Sequence, residues 1–232
     1  MLEIKKISKT YSNKVAVKNI NLKVNNGDIC AILGRNGAGK TTILKAAAGI
    51  LDFNNGDILI ENLSVLNNSL DYKKEIAYIP DIPDVYEFLT GFDYLNFICD
   101  VYDVKEREEI IKKYSDFFEL SFFLGNQIST YSRGMKQKLL IIASLIHEPR
   151  VLLFDEPFNS LDSYGIDKLK EVFKSLSKIG TAILFTTNKL YETENLCNKI
   201  ALLSNGEILE YGDYKAIKKK ISNDELMEKN DE

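Results

Sequence analysis

One eight-residue stretch of the chain has the pattern glycine, any four residues, glycine, lysine, and then serine or threonine. It runs Gly34, Arg35, Asn36, Gly37, Ala38, Gly39, Lys40 and Thr41, with Thr42 next. Glycines let backbone N–H groups curl around phosphate oxygens, and a helix that starts directly after them favours anions. We expect Lys40 to bridge the β- and γ-phosphates of a nucleotide and the Thr41 hydroxyl to ligate Mg²⁺. The stretch therefore predicts a nucleoside triphosphate site.

Two acidic residues follow an apolar run further along the chain. Val151–Phe154 is predicted to be a buried strand, and Asp155 and Glu156 stand at its end. Two acidic residues alone could simply mark a strand end that is exposed to solvent. In a chain with a phosphate loop, however, they favour a role in phosphate chemistry. Asp155 is expected to hold Mg²⁺, and Glu156 to orient or deprotonate the water that attacks the γ-phosphate.

The elements that must position these residues alternate between strands and helices. A strand is predicted at Ile29–Leu33, just before the phosphate loop, and a helix over residues 39–51, just after it. Past Asp155, a helix over residues 163–179 and a strand over residues 181–185 continue the alternation. Such alternation predicts a mainly parallel sheet.

Two further regions have other patterns. Residues 2–7, 15–24 and 57–60 alternate between apolar and polar side chains, which predicts an N-terminal antiparallel β layer. Between residues 85 and 148, apolar side chains recur every three or four positions, which predicts an inserted α-helical lobe. The tail from Asp213 onward is a short amphipathic segment that fades into Lys, Asn, Asp and Glu, and we expect it to fray.

The composition excludes several classes of protein. The chain has 232 residues, 45% of them hydrophobic, which suits one domain with two lobes. The net charge is −4 and the basic residues are dispersed, so no nucleic-acid partner is indicated. Three cysteines without paired spacing predict neither disulfides nor a zinc site. No apolar run approaches the roughly 18 residues of a membrane span, and no signal peptide is recognisable, which predicts a cytoplasmic protein.

Several short motifs resemble those of ABC transporter ATP-binding subunits. Residues 131–137, Tyr-Ser-Arg-Gly-Met-Lys-Gln, resemble the family's signature L-S-G-G-Q. Residues 159–162, Asn-Ser-Leu-Asp, resemble its D-loop, and residues 78–81, Tyr-Ile-Pro-Asp, resemble its Q-loop. Tyr11 stands where the family stacks an aromatic ring on adenine. The resemblance covers about residues 2–217, and it depends on the order of the motifs more than on any one of them.

The resemblance implies an α/β fold with a P-loop NTPase (RecA-like) core, which binds and hydrolyses ATP with Mg²⁺. It implies one ABC ATPase domain, with residues 1–84 and 149–215 as the catalytic core lobe. Residues 85–148 are then the helical lobe, and residues 216–232 are a charged tail.

The resemblance also implies partners. In the family two such domains pair head to tail, and Ser132, Arg133 and Gly134 of one then contact the ATP on the other, with Asp162 completing the nucleotide-binding set. Asp81 and residues 82–90 resemble the surface that receives the coupling helix of a separate membrane permease. That permease would hold the protein on the inner face of the cell membrane. A homodimer is expected, and pairing with a second ATPase that supplies a histidine stays open.

Three residues depart from the family pattern. Asn188 stands where the family usually has histidine, and losing a charge-assisted contact of about 1.5–3 kcal/mol predicts hydrolysis roughly ten- to hundredfold slower. Asp81 replaces a glutamine and keeps an oxygen ligand for Mg²⁺. Arg133 replaces the first signature glycine, and either contacts the partner's γ-phosphate or points to solvent. Subunits with Arg or Lys at that position resemble drug, bacteriocin and peptide exporters, which favours export.

Two rival classes remain to be weighed. Asn188 and Lys189 begin like the guanine-reading motif N-K-x-D, but Tyr191 takes the place of its aspartate, which disfavours a GTPase. A non-transport ABC ATPase that acts as a mechanical binding protein or regulator is the second rival. The stretch between the phosphate loop and the signature lacks sustained heptads, which favours transport. The single histidine, His147, is expected to be an ordinary surface residue.

Overall fold

The computed structural model describes residues 1–67 and 69–223, which form strands and helices in alternation. The strands are β1 (Leu2–Tyr11), β2 (Lys14–Val24), β3 (Ile29–Leu33), β4 (Asn55–Ile60), β5 (Leu63–Ser64), β6 (Ile76–Ile79), β7 (Val151–Phe154), β8 (Ala182–Thr187), β9 (Lys199–Ser204) and β10 (Glu207–Asp213). The helices are α1 (Lys40–Ala47), α2 (Ser69–Lys74), α3 (Gly91–Val101), α4 (Arg107–Phe117), α5 (Arg133–Leu145), α6 (Ser163–Lys178) and α7 (Tyr214–Asn223). Short 3₁₀ turns lie at Ser121–Phe123, Ile128–Thr130 and Leu190–Thr193.

Two sheets organise the part of the chain that the structure describes. The larger has the order β10-β9-β3-β8-β7-β6, and all its neighbouring strands are parallel except β10, which pairs antiparallel with β9. The smaller is antiparallel and has the order β2-β1-β4-β5. The predicted fold class, a parallel core with an antiparallel layer and a helical insertion, is therefore confirmed.

The core lies on both faces of the parallel sheet, and β3 shows why. Its five residues are all buried, but they alternate between two apolar clusters. Ile29, Ala31 and Leu33 pack with the helical lobe and α6, whereas Cys30 and Ile32 pack with α1 and the antiparallel sheet. A strand buried on both faces reads as a continuous apolar run, as this one does. The phosphate loop thus follows a strand that is buried on both faces.

Hydrogen-bonding side chains fix where the helices of the site begin. Ser132 is the N-cap of α5 and accepts a hydrogen bond from the Met135 N–H at 3.2 Å. Asp162 caps α6 in the same way, with 2.7 Å from its Oδ1 to the Gly165 nitrogen. Caps of this kind contribute about 1 kcal/mol each. Both residues were predicted to bind nucleotide, and in the structure each caps a helix.

The structure differs from the sequence-based expectation at several elements. Strand β6 and the hairpin of β9 and β10 were not predicted, and α1 ends at Ala47 where the pattern predicted residue 51. The expectation that the chain frays from Asp213 is wrong as far as Asn223, because α7 packs the buried side chains of Tyr214 and Ile217 on the core. The remainder of the predicted tail, residues 224–232, lies outside the described residues. Among the helices of the described residues, none is long and apolar enough to cross a membrane.

Candidate active site

The phosphate loop connects β3 to α1 and is closely packed against the β2 strand. A Cβ atom at Gly39 would lie 2.7 Å from the Ala16 carbonyl oxygen, and the φ of Gly39 is 107°, so a side chain is excluded on both grounds. Gly39 is also the N-cap of α1 and has no side chain with which to cap it. The first amide groups of the helix are therefore left for an anion.

Lys40 is buried and folds back over the loop that carries it. Its Nζ donates to the Gly34 carbonyl oxygen at 2.8 Å and to that of Arg35 at 3.3 Å. The same Nζ lies 3.3 Å from Glu156 Oε1. Only 6% of the Lys40 side chain is exposed. A buried ammonium needs such partners, since burying an unpaired charge is costly.

The neighbouring strand β8 holds the Asp155 carboxylate and the Glu156 backbone at the end of β7. The Thr186 hydroxyl donates to Asp155 Oδ1 at 2.5 Å, and its oxygen accepts from the Glu156 N–H at 3.0 Å. Asp155 is buried, and Glu156 has a left-handed backbone with φ 47°. One hydroxyl thus orients both acidic residues.

The Glu156 carboxyl group combines burial with a nearby cation. Burial raises its pKa, and the Lys40 ammonium acts in the opposite direction. Its Oε2 is buried and accepts no hydrogen bond from any residue that the structure describes. A buried carboxylate oxygen without a donor is suited to accept one from a molecule that enters the site.

A cavity of about 680 Å³ brings most of the predicted residues together. Eleven of them line it: Tyr11, Asn36, Gly37, Gly39, Lys40, Thr41, Thr42, Asp81, Asp155, Glu156 and Asn188. Gly34, Arg35 and Ala38 belong to the loop but do not line the cavity. The motif residues Ser132, Arg133, Gly134 and Asp162 do not line it either. The signature instead lies beside the D-loop-like segment, since a Cβ atom at Gly134 would be 3.1 Å from the Ser160 carbonyl oxygen.

Two off-pattern residues, Asp81 and Arg133, contact each other. Arg133 Nη2 lies 3.3 Å from both the carbonyl oxygen and Oδ1 of Asp81. We expected Arg133 either to contact the γ-phosphate on a second subunit or to point to solvent. Its side chain is 57% exposed, but it also contacts Asp81 of its own chain, which neither expectation included. The third off-pattern residue, Asn188, donates from Nδ2 to Asn36 Oδ1 at 3.4 Å, across the mouth of the phosphate loop.

The expectation that His147 is a surface residue is wrong. Its ring stacks on Tyr102, with 3.8 Å between ring centroids and 13° between planes. Its Nε2 lies 3.3 Å from the Ile76 carbonyl oxygen, and burial lowers its pKa to about 4. The histidine follows α5 and packs against the residue that follows α3, a relation between distant segments that the sequence does not reveal.

Sequence reasoning missed several residues of the site. Lys14, Val15, Ala16, Asn159, Asn205 and Gly206 also line the cavity. Asn205 and Gly206 form the turn between β9 and β10, and the Gly206 N–H donates to the Ala38 carbonyl oxygen at 3.0 Å. The dipeptide Asn-Gly is a strong hairpin signal that identifies this turn. Thr186 had a weaker signal, a polar residue at the end of an apolar strand.

Comparison with known proteins agrees with this site. A family model described as ABC transporter matches residues 17–159. The uncharacterized ABC transporter ATP-binding protein YxlF of Bacillus subtilis (strain 168) is 34% identical over 94% of this chain and 72% of its own length. The lantibiotic transport ATP-binding protein SrtF of Streptococcus pyogenes is 31% identical over 99% of both chains. A solved structure of an ATP binding subunit of an ABC transporter has TM-score 0.90 and 30% identity, covering 96% of this chain and 93% of its own.

A phosphate loop at the end of a central parallel strand, with a carboxylate pair beside it, defines a nucleoside triphosphatase. With the matches above, the chain belongs to the ABC transporter family. It is an ATP-binding, ATP-hydrolysing subunit of that family.

Proposed function

We propose that this chain binds MgATP in the 680 Å³ cavity and hydrolyses it to drive export through a separate membrane permease. One observation carries the chemical part of the proposal. Glu156 Oε1 lies 3.3 Å from Lys40 Nζ, while no described residue donates to Glu156 Oε2. Lys40 is the residue that contacts phosphate in such loops, so Glu156 lies close to where the γ-phosphate would bind. A water between the two would have the Glu156 carboxylate as its proton acceptor.

The phosphate loop and Tyr11 then bind the two ends of the nucleotide. The amides of residues 34–42 and the Lys40 ammonium hold the phosphates, and Tyr11, which is 45% exposed at the cavity, stacks on adenine. Lys40 must exchange its contacts with the Gly34 and Arg35 carbonyl oxygens for phosphate oxygens, which are stronger acceptors.

The residues present fit Mg²⁺. Thr41, Asp81 and Asp155 line one cavity with hydroxyl and carboxylate oxygens, the donors that Mg²⁺ prefers. No group of three or more His, Cys, Asp or Glu that could hold a metal ion lies among the described residues. Mg²⁺ characteristically uses one or two carboxylates and substrate phosphates rather than a full protein cage. When bound, the metal neutralises charge on the phosphates.

The chain's own groups then perform hydrolysis. Glu156 accepts a proton from the attacking water, and the pKa that burial raises makes its carboxylate a stronger base than an exposed one. Thr186 keeps Glu156 and Asp155 in place. Asn188 donates a hydrogen bond to the γ-phosphate but carries no charge, so we infer slow turnover for this subunit.

A second copy is needed to complete the site. Ser132 and Gly134 do not line the cavity of their own chain, yet they begin α5, whose first amides suit a phosphate. We infer that two copies pair head to tail and that each signature contacts the nucleotide of the other, with Arg133 and Asp162 at the same interface. A homodimer requires no further component, and a heterodimer with a histidine-bearing ATPase is the alternative.

The permease is proposed to dock on residues 82–90. Ile82 and Phe88 are 72% and 74% exposed, and Tyr86 is 53% exposed. Exposed apolar side chains grouped in one loop favour a protein partner. Export is proposed because SrtF, which is named for lantibiotic transport, matches this chain over 99% of both lengths. Such docking would place the subunit on the inner face of the cell membrane.

The proposal is tested by steady-state hydrolysis and equilibrium ATP binding with Glu156→Gln. We expect kcat to fall at least about a hundredfold while the Kd for MgATP stays within about threefold, because Gln keeps the shape but accepts no proton. Glu171→Gln, on the exposed face of α6, is the matched control and should hydrolyse like the wild type. If Glu156→Gln retains wild-type kcat, Glu156 is not the base and the proposed mechanism fails.

A further inference from the structure

Lys189 follows Asn188 and reaches a different part of the site. Its Nζ lies 3.3 Å from Asn159 Oδ1 and 3.2 Å from Glu192 Oε1. Its backbone N–H donates to the Thr187 hydroxyl oxygen at 3.0 Å. Both ends of the residue are therefore fixed, and the ammonium bridges two segments that are 33 residues apart in the chain, as Asn159 and Glu192 are.

Glu192 is a firm anchor for this ammonium. Its side chain is 8% exposed, and its other oxygen accepts a hydrogen bond from the Thr187 hydroxyl. A carboxylate that is buried and held at both oxygens fixes its cation more precisely than a mobile surface acid does. Lys189 is thus held in one direction, toward Asn159.

Asn159 transmits the contact to the proposed base. It lines the cavity, and its N–H donates to the Glu156 carbonyl oxygen at 3.3 Å, which closes a tight turn over residues 156–159. Thr186 holds the beginning of that turn through Asp155 Oδ1 and the Glu156 N–H. Lys189 holds its end. Thr186 and Lys189 therefore contact the two ends of the turn that carries Glu156.

We infer that Lys189 is a positioning residue for ATP hydrolysis, which holds the Glu156 turn through Asn159. The inference rests on the proposed function. Lys189 itself does not line the cavity, so it acts through Asn159, which does. The simple alternative is that Lys189 forms only an ordinary ion pair with Glu192, three residues away, and ordinary surface pairs of this kind contribute little.

The chain contains a matched control for that alternative. Lys168 pairs with Glu171, also three residues away, at 3.4 Å on α6. Lys189→Met and Lys168→Met each remove such a pair while keeping an unbranched side chain that is only one atom shorter. We expect Lys189→Met to lower kcat about tenfold or more with the Kd for MgATP within about twofold, because misplacing a catalytic group costs rate rather than binding. Lys189→Arg should recover most of the rate, and Lys168→Met should match the wild type.

A double variant tests whether Lys189 acts through Asn159. We expect Asn159→Ala to lower kcat, and Lys189→Met in the same chain to add little to that loss. A kcat for Lys189→Met within twofold of the wild type, or losses that multiply in the double variant, would overturn the inference.

Amide hydrogen exchange in the nucleotide-free chain separates this inference from the proposed function. We expect the amides of residues 156 and 158–160 to exchange several times faster in Lys189→Met than in Lys168→Met, whether or not the wild type hydrolyses ATP. Equal exchange in the two variants means that Lys189 does not hold the turn. If the wild type does not hydrolyse ATP but the two variants still differ in exchange, the proposed function is contradicted. The contact by which Lys189 holds the turn is then still supported.

Discussion

Three largely buried charged side chains lie together at the site, and their balance decides what each can do. Lys40 is paired with Glu156, and Asp155 lies next to Glu156 in the chain. Since Lys40 also caps the carbonyl oxygens of its own loop, the nucleotide must compete with contacts that already satisfy the ammonium. We therefore expect the affinity for ATP to depend on how readily Lys40 exchanges the carbonyl oxygens for phosphate oxygens. The rate of hydrolysis should depend on the groups that face the γ-phosphate.

Asn188→His is the most direct test of the residue-level account of turnover. A histidine there adds a charge-assisted contact of about 1.5–3 kcal/mol in the transition state, so we expect kcat to rise roughly tenfold to hundredfold. Steady-state phosphate release checks it, with Asn195→His on the exposed surface as the control. An unchanged or lower kcat would show that the missing charge at residue 188 does not limit turnover.

His147 makes stability depend on pH. Its folded-state pKa of about 4 is below its ordinary 6.5, so its neutral form stabilises the fold above about pH 6.5. That contribution is lost as pH falls toward 4, and it amounts to at most about 3 kcal/mol. We expect the free energy of unfolding to fall more steeply between pH 7 and pH 4 in the wild type than in His147→Phe, which keeps the stack on Tyr102. Urea denaturation at several pH values measures this, and parallel pH profiles would contradict it.

Contacts between residues that are far apart in the chain could not be predicted from the sequence. The motifs predicted the phosphate loop, Asp155 and Glu156 because each lies in one short stretch. The pairing of Asp81 with Arg133 joins residues 52 positions apart, and the bond from Thr186 to Asp155 joins residues 31 apart. Such pairs depend on how β6, β7, β8 and α5 are arranged, which no local pattern encodes.

At the level of elements, the loop before α3 contacts both the signature and the segment just before it. The Ile128 and Ser129 N–H groups donate to the Leu89 and Glu87 carbonyl oxygens, each at 2.9 Å. Within the signature, Lys136 forms an ion pair with Glu87. The proposed permease surface and the start of α5 are therefore one connected unit, so displacement of the loop should displace the signature.

Reversing the charges of Glu87 and Lys136 tests this connection. Both lie outside the cavity, and we expect Glu87→Lys to weaken ATP-dependent dimerisation of the Glu156→Gln protein about threefold to fivefold, because two like charges then face each other. Glu87→Lys combined with Lys136→Glu should restore it. The matched control is the same exchange at the exposed pair of Lys112 and Asp116 on α4. If the double reversal is no better than the single one, the ion pair does not position the signature.

The elements themselves were largely predictable, and the exceptions have physical reasons. Strands β3 and β7 are continuous apolar runs, which identified them. Strand β6 has four residues, and β9 has a run of only four apolar residues between polar ends, so neither run is long enough to be distinctive in the sequence. Helix α7 was missed because its sequence is rich in lysine, and only the contacts of Tyr214 and Ile217 show that it packs.

At the scale of the whole molecule, the proposed head-to-tail pair can be tested with two defective chains. In the Glu156→Gln background, Lys40→Ala disables the phosphate loop and Ser132→Arg disables the signature. We expect each chain alone to stay monomeric with MgATP, whereas a mixture should form dimers with one complete site. Sedimentation or light scattering gives the mass, and a mixture that stays monomeric, or a single defective chain that dimerises, contradicts the arrangement.

Cys30 and Cys99 are fully buried and Cys197 is half-buried, and burial raises the pKa of all three thiols. Thiolate is the reactive form, so these side chains resist alkylation and oxidation while the chain is folded. The native cysteines should therefore react little with thiol-specific fluorescent labels while the protein is folded. A single cysteine introduced at Phe122, which is 96% exposed on the helical lobe, could be modified selectively and would report the motion of that lobe in real time.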